Sequence, residues 1–296
     1  MPFETLPIVG ARHAAHRRQR VDYWSERLPV TPMGTAIPKV VHQTYPTRDL
    51  PEVLRNGLNR WMAENPSWAF RLYSSDEREA FIRDAYGDEI LQTYRKIRPE
   101  YGAARADLFR YLLIYRLGGV YLDIKSRFTV PIDDVIRGDE GFIVSQWRND
   151  QGSEHAGIGL LPELADIPGG EFQQWHVIAC PGHPFLRAVI IAVLANIDSY
   201  SPWFTNVGRI GVLRLTGPIV YTRAIAPLLE DYPHVRIVGE GHIAMQYSAY
   251  ERAQIFTTKH YSQLTVPVVR TGTAGELSGW LFRRALGLKA LLKRGG

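Results

Sequence analysis

The chemically suggestive residues fall within Asp107 to Ser126, DLFRYLLIYRLGGVYLDIKS, which holds two carboxylates, a buried-looking arginine and a lysine. On a helix, Asp107, Arg110 and Tyr111 stand at i, i+3 and i+4 and share one face. Alone, an Asp/Arg pair at that spacing is most simply an ion pair on a solvated surface. Here Leu108, Leu112, Leu113, Ile114 and Leu117 make the helix apolar and substantially buried. Asp123 then follows one turn and one strand later, at the carboxyl end of Val120-Tyr121-Leu122-Asp123. Ligands of open α/β sheets bind outside the carboxyl ends of strands. An acid there, behind the double-glycine turn Gly118-Gly119, is a candidate for polar recognition of a ligand.

The elements that must position these residues can be read on either side. Lys39-Val40-Val41-His42-Gln43 reads as a first strand, β-branched and bounded by Pro38 and Pro46. Leu50 to Glu64 carries Val53, Leu54, Leu58, Trp61 and Met62 at helical spacing, and Asn65-Pro66 stops it. Trp68 to Tyr73 is a second strand. Ser75, followed by Glu77 and Glu79, is placed as the N-cap of the next helix. A helix spans about Ala103 to Leu117, with glycine just past its last turn as a left-handed cap. Further strands are expected at Phe142 to Gln146 and Trp175 to Ala179, and helices at Pro184 to Ile197 and Pro218 to Leu229. The β-α-β-α alternation predicts an α/β fold with a mostly parallel sheet. Residues 1–36 read as a basic N-terminal extension, 37–275 as one domain, and 276–296 as a basic amphipathic C-terminal helix.

Composition narrows the function classes. With 296 residues, 45% of them hydrophobic and 11% aromatic, the chain can build a sizeable core. A lone cysteine, Cys180, excludes an intrachain disulfide framework and a Cys-rich zinc site. The apolar run Ala188 to Ile197 is half the ~20 residues a membrane span needs. No apolar run opens the chain, so the expectation is a cytoplasmic protein, with the inner membrane face as a peripheral location. The net charge of +5 sits at the ends: Arg12, Arg17, Arg18 and Arg20 at one, and Arg283, Arg284, Lys289, Lys293 and Arg294 at the other. The stretch between is mildly acidic. No element interleaves basic and aromatic residues, which excludes nucleic acid as partner. In 276–296, Leu277, Trp280, Leu281, Leu288, Leu291 and Leu292 recur at helical spacing among the basic residues. That helix either docks on the domain or lies on an anionic membrane surface.

The motifs resemble a known family. Ala106-Asp107-x-x-Arg110-Tyr111 followed by Gly118-Gly119-x-Tyr121-Leu122-Asp123 is similar to the sugar-nucleotide core of glycosyltransferase family 32. These are the DXD sugar-binding region proteins related to yeast initiating mannosyltransferases and, more distantly, to clostridial glucosylating toxins. Ile37 to Gln43, Asn65-Pro66-x-Trp68 to Tyr73, Pro181-Gly182-His183-Pro184-Phe185 and Thr216-Gly217-Pro218 resemble further blocks in the same order. The resemblance implies a GT-A-type, Rossmann-like domain that takes a UDP- or GDP-sugar and transfers the sugar with retention to a glycan or lipid-linked acceptor. The implied setting is cell-surface or capsular polysaccharide synthesis. By position, Asp107, Arg110 and Tyr111 would bind the donor sugar, where a carboxylate and a guanidinium offer charged acceptors and a fixed fork of donors. Tyr121 and Asp123 would sit against ribose and diphosphate, and Tyr45 would stack on the nucleobase.

One position departs from the family pattern. Its metal motif is Asp-x-Asp, whereas this chain reads Asp123-Ile124-Lys125. Two readings stay open. Lys125 is a built-in cation for the departing diphosphate, making Asp123 and Lys125 the catalytic pair. Alternatively, Asp123 holds Mn²⁺ or Mg²⁺ with help from His260. A third reading is a non-catalytic relative that binds nucleotide-sugar or glycan. His42 is expected to be structural, His183 to shape a turn, Asp133-Asp134 to cap a helix, and Trp203 to be either a core residue or an acceptor platform.

Overall fold

The computed structural model describes residues 7–232, 234–239, 243–250 and 260–292. Its centre is a six-stranded sheet built from β1 (Val40–Thr44), β2 (Ala69–Tyr73), β3 (Gly119–Leu122), β5 (Phe142–Gln146), β6 (His176–Ala179) and β7 (Val235–Val238). The order is β2-β1-β3-β6-β5-β7. β1 pairs in parallel with both β2 and β3, and β5 with β7, while β6 runs antiparallel to β3 and β5. Five of the six strands therefore point one way, as a mostly parallel α/β fold requires. β4 (Arg127–Phe128) and β8 (Met245–Gln246) form a separate antiparallel pair.

Alternation along the strands divides the core into two layers. Val41, Val120, Ile143 and Ile178 join Trp61 of α2 (Glu52–Glu64), Trp68 and Phe128 on one face. Tyr121, Val144 and Val177 face the other way, onto α3 (Ser75–Lys96), α4 (Gly102–Leu117) and α5 (Pro184–Asp198). α4 is buried nearly all round from Ala104 to Tyr115, so the polar residues it carries are held inside. α3 opens with a capping box in which the Ser74 hydroxyl accepts from the Glu77 N–H and Glu77 accepts from the Ser74 N–H. The cap is thus Ser74, one residue before the position expected. α3 also breaks at Gly87 (φ 80°), making two helices of it.

The N-terminal stretch differs from the expected extension. α1 (Pro7–Arg27) packs along α5, and Trp24 and Leu28 are 1% and 2% exposed within the main core. Asp198, at the end of α5, accepts from Trp24 Nε1 (2.9 Å), Arg20 Nε (2.9 Å) and Lys96 Nζ (2.6 Å). Burial alone would raise the Asp198 pKa, but Lys96 and Arg20 outweigh it and hold it low. Arg17 donates to Asn196. Much of the N-terminal basicity is therefore spent inside the fold. Asp133 does not cap its short helix; it binds Lys39, Ser67 and Trp68 and ties the start of β1 to β2.

The turn from α4 into β3 fixes where Asp123 emerges. Gly118 (φ 67°) caps α4, its N–H donating to the Ile114 carbonyl, and Gly119 (φ 96°) starts the strand. A Cβ on Gly119 would lie 2.7 Å from the Val40 carbonyl oxygen of the neighbouring strand. Gly119→Ala therefore combines a disfavoured backbone conformation with a backbone clash, and the expected loss is roughly 2–5 kcal/mol. Gly102→Ala, where a Cβ meets open space, should be neutral or stabilising by about 0.5–1 kcal/mol. Urea denaturation of both variants checks the contrast.

Candidate donor-sugar site

The site grows from one buried arginine. Arg110 Nη2 lies 2.8 Å from Asp107 Oδ1 and 3.1 Å from Asp123 Oδ1, so a single guanidinium joins the helix carboxylate to the one at the end of β3. Its Nη1 donates to the Gln174 carbonyl, and the guanidinium lies 4.7 Å over the Tyr121 ring. Asp107 Oδ2 accepts from the Thr216 hydroxyl at 2.8 Å, so both its oxygens are engaged. Asp123 is anchored by its N–H to the Trp175 carbonyl (2.8 Å) and its side chain is 26% exposed. Of the three ionic groups, it is the one presented outward.

Burial sets the electrostatics. Asp107 is pushed up to about 6 by burial, against the pull of Arg110 and Thr216. Burial would lower Arg110, but Asp123, Tyr121 and Asp107 outweigh it and raise its pKa, so it stays charged. His176 on β6 is pushed down to about 3 by burial and by Arg110; its Nε2 meets the Ser145 hydroxyl at 2.9 Å. It is a neutral residue behind the site. His42 is likewise neutral, lowered to about 3 by burial and Arg71, with Nδ1 at 3.2 Å from the Tyr73 hydroxyl. His183 is fully buried and caps α5 by accepting from the Phe185 N–H.

The expected site residues separate into groups. Asp107, Arg110, Tyr121 and Asp123 come together. Tyr111 is beside them but fully buried, its hydroxyl bonding Gln174 Oε1 (3.0 Å) and the Thr216 carbonyl (2.9 Å), so it braces the wall instead of facing a ligand. Asp107 and Arg110 are each only 3% exposed, and the half-buried Gln174 lies across them. Lys125 donates to the Tyr247 hydroxyl at 3.0 Å and sits 4.3 Å over that ring. Tyr247 in turn leans on Trp175 and Trp147, with centroids at 5.3 and 5.5 Å. Tyr45 packs with Leu50, Leu54, Ile124 and Tyr250. Leu54, Ile124 and Tyr250 also line a cleft of about 510 Å³, together with Gln43, Trp61 and Ser126, on the α2 side of Asp123. Its size is that of ordinary small-molecule sites.

A divalent cation held by Asp123 and His260 does not fit these residues. Asp123 is paired with Arg110, Lys125 brings an ammonium two positions on, and His260 Nδ1 turns to Ser262 at 2.7 Å to cap a short helix. Among the described residues, no three His, Cys, Asp or Glu side chains could hold a metal together. The neighbour Tyr261 is the one that feels the site: burial, then the charges of Asp107 and Asp123, raise its phenol pKa. Trp203 is no platform at this site; its Nε1 donates to Ser278 and its ring packs edge-on against Phe282.

Residues 51–142, which contain the whole Asp107–Asp123 constellation, match the sequence profile of the glycosyltransferase sugar-binding region containing DXD motif. This segment of the chain is similar to a glycosyltransferase sugar-binding region. The family resemblance seen in the sequence is thereby borne out. The mannosyl phosphorylinositol ceramide synthase SUR1 of Saccharomyces cerevisiae is 24% identical over 226 residues, 76% of this chain and 50% of that one. The initiation-specific alpha-1,6-mannosyltransferase of Schizosaccharomyces pombe is 26% identical over 210 residues, covering 67% and 50%. The chain thus spans about half the length of these curated relatives. Among solved structures, PaToxG glycosyltransferase superposes with a TM-score of 0.43 at 15% identity, covering 75% of this chain and 80% of that one.

Arg110→Met tests the bridge. It leaves Asp107 buried without its counter-charge, and removing one partner of a buried pair costs about 3–5 kcal/mol. The sign follows from the pKa. Asp107 is raised above its unfolded value, so ionising it costs stability as pH climbs through about 6, and losing Arg110 raises it further. The destabilisation, read by urea titration, should be larger at pH 8 than at pH 5.

Proposed function

We propose that this protein is a retaining, GT-A-type glycosyltransferase that moves a sugar from a UDP- or GDP-sugar to a glycan or lipid-linked acceptor. The observation that carries the reading is the Arg110 bridge between Asp107 and Asp123 at the carboxyl end of β3, inside the segment that matches the sugar-binding region. The named relatives are mannosyltransferases or glycolipid synthases, which favours mannose as donor sugar and a lipid-linked acceptor in cell-surface glycan synthesis at the inner membrane face. Among the described residues no helix is long and apolar enough to cross a membrane.

In this mechanism the donor's sugar hydroxyls displace the Gln174 amide and take up Asp107 and Arg110. The diphosphate lies between Asp123 and Lys125, and the nucleoside occupies the cleft beside Tyr45. Lys125, steered by Tyr247, stabilises charge as the bond from anomeric carbon to diphosphate breaks. The acceptor hydroxyl attacks from the same face, and its proton leaves with the diphosphate. A fixed cation aimed at developing charge acts without reorganising during the step.

The test is a panel of UDP- and GDP-sugars, with nucleoside diphosphate release as readout. One or more donors should turn over. Lys125→Ala should lose about 10²–10³-fold in kcat, as removal of one charge-stabilising donor does, with part recovered in Lys125→Arg. Asp107→Ala, verified as folded by its thermal transition, should be inactive. Full turnover by Asp107→Ala would refute the assignment, and donor binding without release would favour a non-catalytic binding relative.

A further inference from the structure

Among its described side chains, the helix α9 (Thr273–Leu292) meets the domain along one side. Ser278 accepts from Trp203 Nε1 at 3.0 Å, and Phe282, 8% exposed, packs edge-on against the Trp203 ring at 5.1 Å. Glu276 pairs with Arg98 at 2.5 Å. Gly279 comes so close to Pro267 that a Cβ there would lie 2.7 Å from its ring. These contacts fix the helix by positions 276, 278, 279 and 282.

The opposite side is apolar and open. Leu277, Trp280 and Leu281 are 60%, 45% and 48% exposed, an i, i+3, i+4 stripe that nothing among the described residues covers. Arg284 extends the stripe and lies 5.1 Å over the Trp280 ring, with Arg283 at its flank. The sequence continues the same period with Leu288, Leu291 and Leu292, and adds Lys289, Lys293 and Arg294 with no acid from 277 to 296. Three large apolar side chains in water on one helix face, flanked by Arg283 and Arg284 and by a Glu276 already paired with Arg98, call for an apolar partner bearing negative charge. Trp and Arg together suit a lipid headgroup boundary, where the ring sits at the interface and the guanidinium reaches phosphate. The basic residues of the N-terminus show the contrast, since Arg17 and Arg20 are bound to Asn196 and Asp198.

We infer that the Leu277–Trp280–Leu281–Arg284 face of α9 is a membrane-docking surface that lies in the headgroup region of an anionic lipid bilayer while its opposite face holds the domain. This does not depend on the transferase reading, because docking is measured without turnover. The probe is co-sedimentation of the full chain with phosphatidylcholine vesicles, with and without 30% phosphatidylglycerol. The protein should sediment with the anionic vesicles and not the neutral ones, and the binding should weaken as salt rises. A Leu277→Ser, Trp280→Ser, Leu281→Ser variant should lose at least tenfold in binding. Arg283→Glu with Arg284→Glu should do the same, each basic residue near the surface being worth about fivefold. All variants should keep the native thermal transition. Equal binding by native and variant chains would overturn the inference. So would absence of vesicle binding, whether or not light scattering then showed a dimer that the apolar variant loses.

Discussion

The structure depends on a guanidinium that sits where water cannot reach it. Arg110 is 3% exposed, and a charge so placed is tolerated only when it is paired and hydrogen-bonded. Asp107, Asp123 and the Gln174 carbonyl meet that need from three different elements: α4, the end of β3 and the segment before β6. The same contacts that make the arginine tolerable therefore fix the outward carboxylate. Asp107 is held by Thr216 from behind, so the arrangement extends to the start of α8 (Pro218–Ile225). Loosening any of these elements would leave a buried charge short of partners, which couples the integrity of the site to the integrity of the core.

Much of this was legible in the sequence because it is local. The i, i+3 spacing of Asp107 and Arg110, the apolar character of their helix, the double glycine and the strand leading to Asp123 all lie within one short stretch, and the sheet order places that strand end beside β1. What escaped comes from far along the chain or from burial that spacing does not reveal. Tyr247, which holds Lys125, is 122 residues away from it, and it is Tyr261, next to the expected His260, whose phenol is raised by burial and by the charges of Asp107 and Asp123. Tyr111 shares the helix face of Arg110 yet points its hydroxyl into the wall. The N-terminal stretch reads as a basic extension because few of its residues are apolar, but Trp24 and Leu28 enter the core and Arg17 and Arg20 bond to Asn196 and Asp198, which seats α1 on α5. The shift of the cap from Ser75 to Ser74 is a one-residue ambiguity between adjacent serines that only the reciprocal bond with Glu77 resolves.

The position of charge gives the site its character. Where a second carboxylate would invite a divalent ion, this chain has an ammonium resting on a tyrosine, and the remaining carboxylate already answers to an arginine. Asp107 and Asp123 balance Arg110 and Lys125, so the site is close to neutral without any added ion. A lysine point charge can serve a diphosphate as a metal would, with the difference that it is covalently part of the fold.

Turnover of donor and acceptor in EDTA, with and without added Mn²⁺, on the native chain and on Lys125→Asp, tests that claim most directly. The native protein should keep full turnover in EDTA and gain nothing from Mn²⁺, while Lys125→Asp should be inactive in EDTA and regain turnover when Mn²⁺ is supplied. Loss of native turnover in EDTA, restored by Mn²⁺, would contradict the account.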